Sequence, residues 1–206
     1  MSILLKDLDT TIINYCDVET DYKNIILINK YYNNIITNDN LFLDFKKIIK
    51  MKIKMLDKKK LFIETCRMDF KFFAKYLISK HKINIHTDDE LAFRWSCRNG
   101  HIETVKYLVE LGNQPNYQQI NIHANTEEAF RWSCRNGHIE TVKYLIELGT
   151  QPNYQKINIH ANDEEAFRYS CYNGHIETTI YLIEISNEPG MIPFSNDLIE
   201  RYYPKN

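Results

Sequence analysis

Cysteine and histidine recur together three times in this sequence, four residues apart: Cys97 with His101, Cys134 with His138, and Cys171 with His175. Thiolate and imidazole are ligands that zinc prefers, and a structural site takes four of them in a tetrahedron. Each pair supplies two, and a glycine at 100, 137 or 174 turns the chain between its members. The spacing therefore predicts no metal site. The histidines are expected to satisfy backbone groups at a turn, and the cysteines to sit as small buried thiols. The six glycines, at 100, 112, 137, 149, 174 and 190, leave no GxGxxG or GxxxxGK cradle for phosphate. Neither a GxSxG elbow nor an HExxH pair occurs. No catalytic residue and no cofactor is assigned, so the expected role is non-enzymatic. Trp95, Trp132 and Tyr169 recur as an aromatic series, read as core packing rather than a cofactor box.

What positions these residues is a repeat. AFRWSCRNGHIETVKYLVELG spans 92–112 and AFRWSCRNGHIETVKYLIELG spans 129–149, differing only at Val109 and Ile146. A third copy, AFRYSCYNGHIETTIYLIEIS, begins at Ala166, and the period is 37 residues, as in Phe93, Phe130 and Phe167. A degenerate copy, LFIETCRMDFKFFAKYLIS, begins at Leu61 and stands 31 residues ahead of the next. Each unit reads as two short helices. The first is predicted to start near Asn125 and Asn162, with Glu128 and Glu165 three residues on in capping-box positions. Phe130, Ser133 and Cys134 share one face, and Gly137 breaks the helix. The second helix places Ile139, Val142, Leu145 and Ile146 on one stripe and Glu140, Lys143 and Glu147 on the outer face. A pair this short cannot bury its apolar stripes alone, but stacking on like neighbours can.

On these residues the segment RNGHIETVKYLIELG resembles the ankyrin repeat, from about residue 57 to 190. The resemblance implies an all-α fold: a solenoid of stacked helix pairs over 61–190, with one degenerate and three clear repeats. Two departures stand out. The family's Thr-Pro-Leu-His opening is replaced by Glu128-Ala129-Phe130-Arg131, and the connecting loop, with QPNYQ at 114–118 and 151–155, is four residues longer than usual. The family binds partners on a concave face. By motif position that face is Asp88, Glu90, Arg98 and Asn99, then Asn125, Glu127, Arg135 and Asn136, then Asn162, Glu164, Tyr172 and Asn173. For Glu127 and Glu164 the alternative is service to the helix N-termini. In the third copy Val142 and Lys143 become Thr179 and Ile180, so the segment 191–206 is expected to pack back as a cap over the apolar end.

Residues 1–45 lie outside the repeat and read as short helices. LLKDLDTTIINYCDVETDYKNIILINKYYNNIITNDNLF resembles an F-box, which implies docking on the small adaptor subunit of a cullin-type ubiquitin ligase. Carried over by motif position, the docking residues are Leu5, Leu8, Ile12, Ile28, Tyr32, Leu41 and Phe42. Lys6 stands where the F-box has a proline. The alternative is a small helical cap for the stack. Between the two parts, 46–60 (KKIIKMKIKMLDKKK) carries eight lysines against Asp57 alone. It reads as a linker helix whose lysines reach into water, with a nuclear-import signal or nucleic-acid patch as the alternative. No aromatic residue interleaves those lysines, so nucleic-acid binding is not expected. An F-box-like segment ahead of ankyrin-type repeats, in a chain rich in Asn, Ile, Lys and Tyr, is similar to the ankyrin-repeat proteins of giant DNA viruses.

Composition sets the outer bounds. A formal charge of −1 gives the whole surface no pull on nucleic acid or anionic membrane, and 44% hydrophobic residues suffice for a core. No apolar run approaches the roughly 20 residues of a membrane span, and Asp7 and Asp9 interrupt any secretory signal. The five cysteines include no CxxC pair, which points to a reducing compartment. The expectation is an intracellular, cytoplasmic monomer (in the host cytoplasm if viral, with the lysine run leaving the nucleus open) that binds a protein target.

Overall fold

The structure, a computed structural model, describes residues 57–203, so the F-box-like segment and most of the lysine-rich linker lie outside the described residues. The chain divides into two compact units, one of residues 1–66 and 70–84, the other of 67–69 and 85–206. Among the described residues all regular structure is helical.

In the first unit the degenerate repeat forms a helix pair. Asp57 caps α1 (Lys58–Arg67), its carboxylate accepting from the Lys59 N–H at 2.9 Å. The helix buries Leu61, Phe62, Ile63 and Cys66. Ala74, Leu77 and Ile78 are buried on α2 (Lys71–His81). The chain leaves α2 through Lys82, left-handed at φ 49°, whose N–H closes on the Ile78 carbonyl.

Three further pairs follow in the second unit: α3 (Thr87–Arg98) with α4 (Ile102–Gly112), α5 (Ala124–Arg135) with α6 (Ile139–Gly149), and α7 (Ala161–Tyr172) with α8 (Ile176–Ser186). The first helices pack in a row, α5 between α3 and α7, and the second helices follow in parallel. Each pair seals one phenylalanine, Phe93, Phe130 or Phe167, completely from solvent, together with apolar residues of its second helix such as Leu108, Leu145 and Leu182. Burying one such side chain contributes about 2 kcal/mol. On α6 the outer residues Glu140, Lys143 and Glu147 are exposed as expected, although Lys143 reaches across to Glu177 of the next pair, at 3.7 Å, rather than along its own helix.

The start of each first helix departs from expectation. Residues 88–90, 125–127 and 162–164 are all left-handed, with φ between 54° and 62°. Side chains disfavour this region by about 1–2 kcal/mol per residue, so something must hold it. No N-cap side chain bonds the helix. Instead of a capping box, the Asn125 and Asn162 amides donate to the carboxylates of Glu128 and Glu165. The turn itself is held by an arginine one helical turn further on: Arg131 donates from Nε to the Thr126 carbonyl at 2.7 Å and from Nη2 to the Asn125 carbonyl at 3.1 Å. Arg94 repeats both bonds, to the carbonyls of Asp89 and Asp88.

Between the helices of a pair the chain turns at a left-handed glycine. Gly137, at φ 71°, also lies under the ring of His175 from the next pair; a Cβ there would fall 2.4 Å from Nδ1. Gly174, with φ 72°, has nothing within 4 Å of the same position.

The C-terminal segment packs on α7. Phe194 is buried and stacks on Phe167 with ring centroids 4.6 Å apart, and its other ring neighbour is His160 at 5.0 Å. His160 Nε2 donates to the Ile192 carbonyl at 2.8 Å. Ser195 then caps α9 (Asn196–Tyr202) by accepting from the Leu198 N–H. Ile180 is not covered: it stays 40% exposed, because the segment lies along α7 and not over this position of α8.

Two stability measurements test these contacts. Phe194→Ala should cost about 3 kcal/mol in urea unfolding, with a loss comparable to deletion of 189–206; an unchanged midpoint for both would mean the segment stabilises nothing. Gly137→Ala and Gly174→Ala share the backbone penalty of about 1–2 kcal/mol, so any excess at Gly137 measures the clash with His175.

Candidate functional site

The residues placed on the binding face by sequence sort into three groups. Asp88, Asn125 and Asn162 stand exposed on the left-handed turns. Glu90 and Glu127 were expected there too, but they are 4% and 6% exposed, and Glu164 is half-buried. The reason is a hydrogen-bonded staple. Nδ1 of His86, His123 and His160 lies 2.7, 2.8 and 2.9 Å from a carboxylate oxygen of Glu90, Glu127 and Glu164. Glu90 Oε1 also accepts from the Asn121 N–H, and Glu127 Oε1 from the Asn158 N–H, each at 3.1 Å. Each of these two glutamates thus ties its own turn to the loop entering the next pair. Glu90 and Glu127 are corrected from surface contacts to internal braces.

The asparagines at the ends of the first helices have a similar role. Asn99, Asn136 and Asn173 donate from Nδ2 to the carbonyls of Arg67, Arg98 and Arg135, at 2.8, 2.7 and 2.7 Å. His101 reaches the same Arg67 carbonyl at 2.9 Å, and His138 hydrogen-bonds the Arg98 backbone. Among the described residues no group of three or more candidate metal ligands converges. His101 and His138 therefore serve backbone groups of the preceding unit. Burial and the neighbouring imidazoles His101 and His175 hold the His138 pKa below the usual value, the bond to Arg98 opposing them. Burial pushes the Cys97 and Cys134 thiols well up, which disfavours the thiolate.

Arg98 and Arg135 do face the surface, but not as isolated charges. The Arg98 guanidinium lies 4.5 Å from the Trp95 ring centroid and 3.9 Å from that of Trp132. The Arg135 guanidinium lies 4.6 Å from Trp132 and 4.3 Å from Tyr169. Trp95, Arg98, Trp132, Arg135 and Tyr169 thus alternate in one stack that crosses three units. These aromatic residues were read as core packing; they are half-buried instead and use their faces on cations. The third unit replaces the arginine with Tyr172, 82% exposed.

Sequence reasoning missed a charged link between units. Arg131 Nη1 donates to Glu165 Oε2, and Arg94 Nη1 to Glu128 Oε2, in nearly buried ion pairs 34 residues apart. A signal was present, since arginine and glutamate keep that separation in both copies. The same arginine in the last unit, Arg168, makes none of these bonds among the described residues, and its Nε is buried without a partner.

The face is thus an assembly of fixed cations, amides and one exposed tyrosine. Comparison with known proteins agrees with the fold. A family model of ankyrin repeats in three copies matches residues 61–156, and a second, of many copies, matches 130–183. No curated protein matches. Among solved structures, the chain is similar to the X-ray structure of an ankyrin repeat family protein from Legionella pneumophila. The TM-score is 0.55 and the identity 21%, over 78% of this chain. This chain spans 54% of the length of that protein.

Removing one partner of the buried inter-unit pair should be costly: Arg131→Met is expected to lose about 3–5 kcal/mol, and Arg131→Met/Glu165→Met less than the sum of the two single losses. Additivity in that double-mutant cycle, measured by urea unfolding, would deny the coupling. A pH series tests His138. Its folded pKa is lowered, so it is neutral in both states above the unfolded value of about 6.5, where its contribution is complete. Below that value the unfolded chain takes up the proton first, and stability falls until the folded pKa is passed. The thermal midpoint should drop on acidification through that window, and His138→Gln should flatten the drop.

Proposed function

The chain belongs to the ankyrin-repeat family, and from that premise we propose that it is a non-enzymatic binding module whose first-helix face holds a protein target. The observation that supports this reading most is that Tyr172 stands exposed at the helix position where the two preceding pairs hold Arg98 and Arg135 against aromatic rings. An exposed aromatic and ordered arginines are the residue types that dominate binding energy at protein interfaces. No helix among the described residues is long and apolar enough to cross a membrane.

The proposal extends to recruitment. Its support is the F-box-like pattern of 1–45, with Leu5, Leu8, Ile12, Ile28, Tyr32, Leu41 and Phe42 as the docking residues. The target is held by the repeats and the ligase adaptor by the N-terminal segment, so nearness is the mechanism. The protein acts in the cytoplasm as a monomer. Lys6 in place of the proline favours the second reading, in which 1–45 is only a helical cap and the protein acts by occupying its target.

Co-purification of the full chain with the adaptor subunit decides between them. A one-to-one complex that disappears in Leu41→Ala/Phe42→Ala, with the thermal midpoint unchanged, is the expected result for recruitment. Absence of a complex, with the double variant melting earlier than the wild type, establishes the cap.

A further inference from the structure

Arg98 and Arg135 are held in an unusual state. Each guanidinium carbon lies over two aromatic rings, yet none of its nitrogens takes part in a hydrogen bond or ion pair among the described residues. A guanidinium carries five N–H donors, all in its own plane. With rings at these distances, the open approach to those donors is along the guanidinium edge. Neither side chain is sealed in, so the edges reach solvent. The backbone beneath is fixed as well, since Asn136 and Asn173 bond the Arg98 and Arg135 carbonyls. Two forks are thus already ordered, and the entropy that a free arginine would lose on binding has been spent.

We propose that this stack is a carboxylate-reading strip, and that the partner of the face is an acidic protein segment in polyproline II conformation with Asp or Glu at every third residue. The inference rests on the protein-binding reading above and names its partner class. In-plane N–H pairs match a carboxylate bidentately. The two guanidiniums lie 3.9 and 4.6 Å from the centroid of the same Trp132 ring, so they stand no more than about 8.5 Å apart. A polyproline II chain rises about 3.1 Å per residue with three residues per turn, so residues i and i+3 share a face about 9 Å apart. An extended strand repeats its face at about 7 Å, the competing register against which the every-third spacing is tested.

The third unit ends the strip with Tyr172, whose exposed ring suits a proline of the same segment. Asp88, Asp89 and Asp163 at the turns set a limit: the partner's acidic residues must sit on the strip, with neutral or basic flanks. Nucleic acid fits less well, because Trp132 has an arginine on both faces and offers no surface for a base to stack.

The test is fluorescence anisotropy on the full chain with labelled proline-rich peptides. The peptides carry glutamate at every third position, glutamate at every second position, or glutamine at every third. The first should bind, and the other two should bind about tenfold or more weakly. Arg98→Gln and Arg135→Gln should each cost about tenfold. Arg135→Lys should recover little, because it keeps the charge and loses the fork. Lys143→Gln, an outer-helix cation, should change nothing. Melting curves of the arginine variants confirm that each is folded at the assay temperature. Equal binding of the glutamine peptide, indifference to Arg135→Gln, or tighter binding of a single-stranded oligonucleotide would overturn the strip. A protein target that binds wild type and the double arginine variant alike keeps the binding reading and removes this one.

Discussion

Arg94 and Arg131 divide their nitrogens between two tasks. Nε and Nη2 take the carbonyls of the left-handed turn that opens their own helix, while Nη1 takes a glutamate from the next pair. Because the turn is disfavoured for side-chain-bearing residues, it persists where the guanidinium caps it. Because the guanidinium is nearly buried, it persists where the neighbour supplies a carboxylate. Local conformation and stacking are therefore one condition. A single helix pair is incomplete in its backbone geometry as well as in its apolar burial, which sharpens the nearest-neighbour character of such stacks.

That coupling explains what the sequence could and could not disclose. Helix pairs, their breaks and their buried faces were legible, because period and glycine position express local physics: Phe130, Cys134 and Leu145 are sealed as their spacing implies. Asn125 and Glu128 misled for the same reason. Their three-residue spacing is that of a capping box, but Glu128 answers to Arg94, 34 residues earlier, and the turn before it is left-handed. Glu127 and the aromatic series misled in opposite directions. A charged residue was placed outside and proved buried because a histidine and a backbone amide pair with it. Tryptophans were placed inside and proved half-exposed because arginines cover their faces.

On the candidate face, binding and bracing are interleaved residue by residue. Asn136 fixes the carbonyl of the arginine whose side chain reaches outward, and His138 bonds the same backbone. Positions that look like contacts in a motif alignment are thus partly the framework of contacts. The candidates left for recognition, Arg98, Arg135 and Tyr172 above all, are fewer than motif position implied.

Two of the interfaces between units are chemically the same interface. Arg94 meets Glu128 across one, Arg131 meets Glu165 across the next, and the period between them is 37 residues. Excision of any 37-residue stretch between Arg94 and Glu165 would bring Arg94 opposite Glu165 at the same separation. Duplication of such a stretch would insert another copy of an interface already present. The gene encoding this stack can thus gain or lose whole units by unequal recombination without passing through a protein that has an unmatched seam.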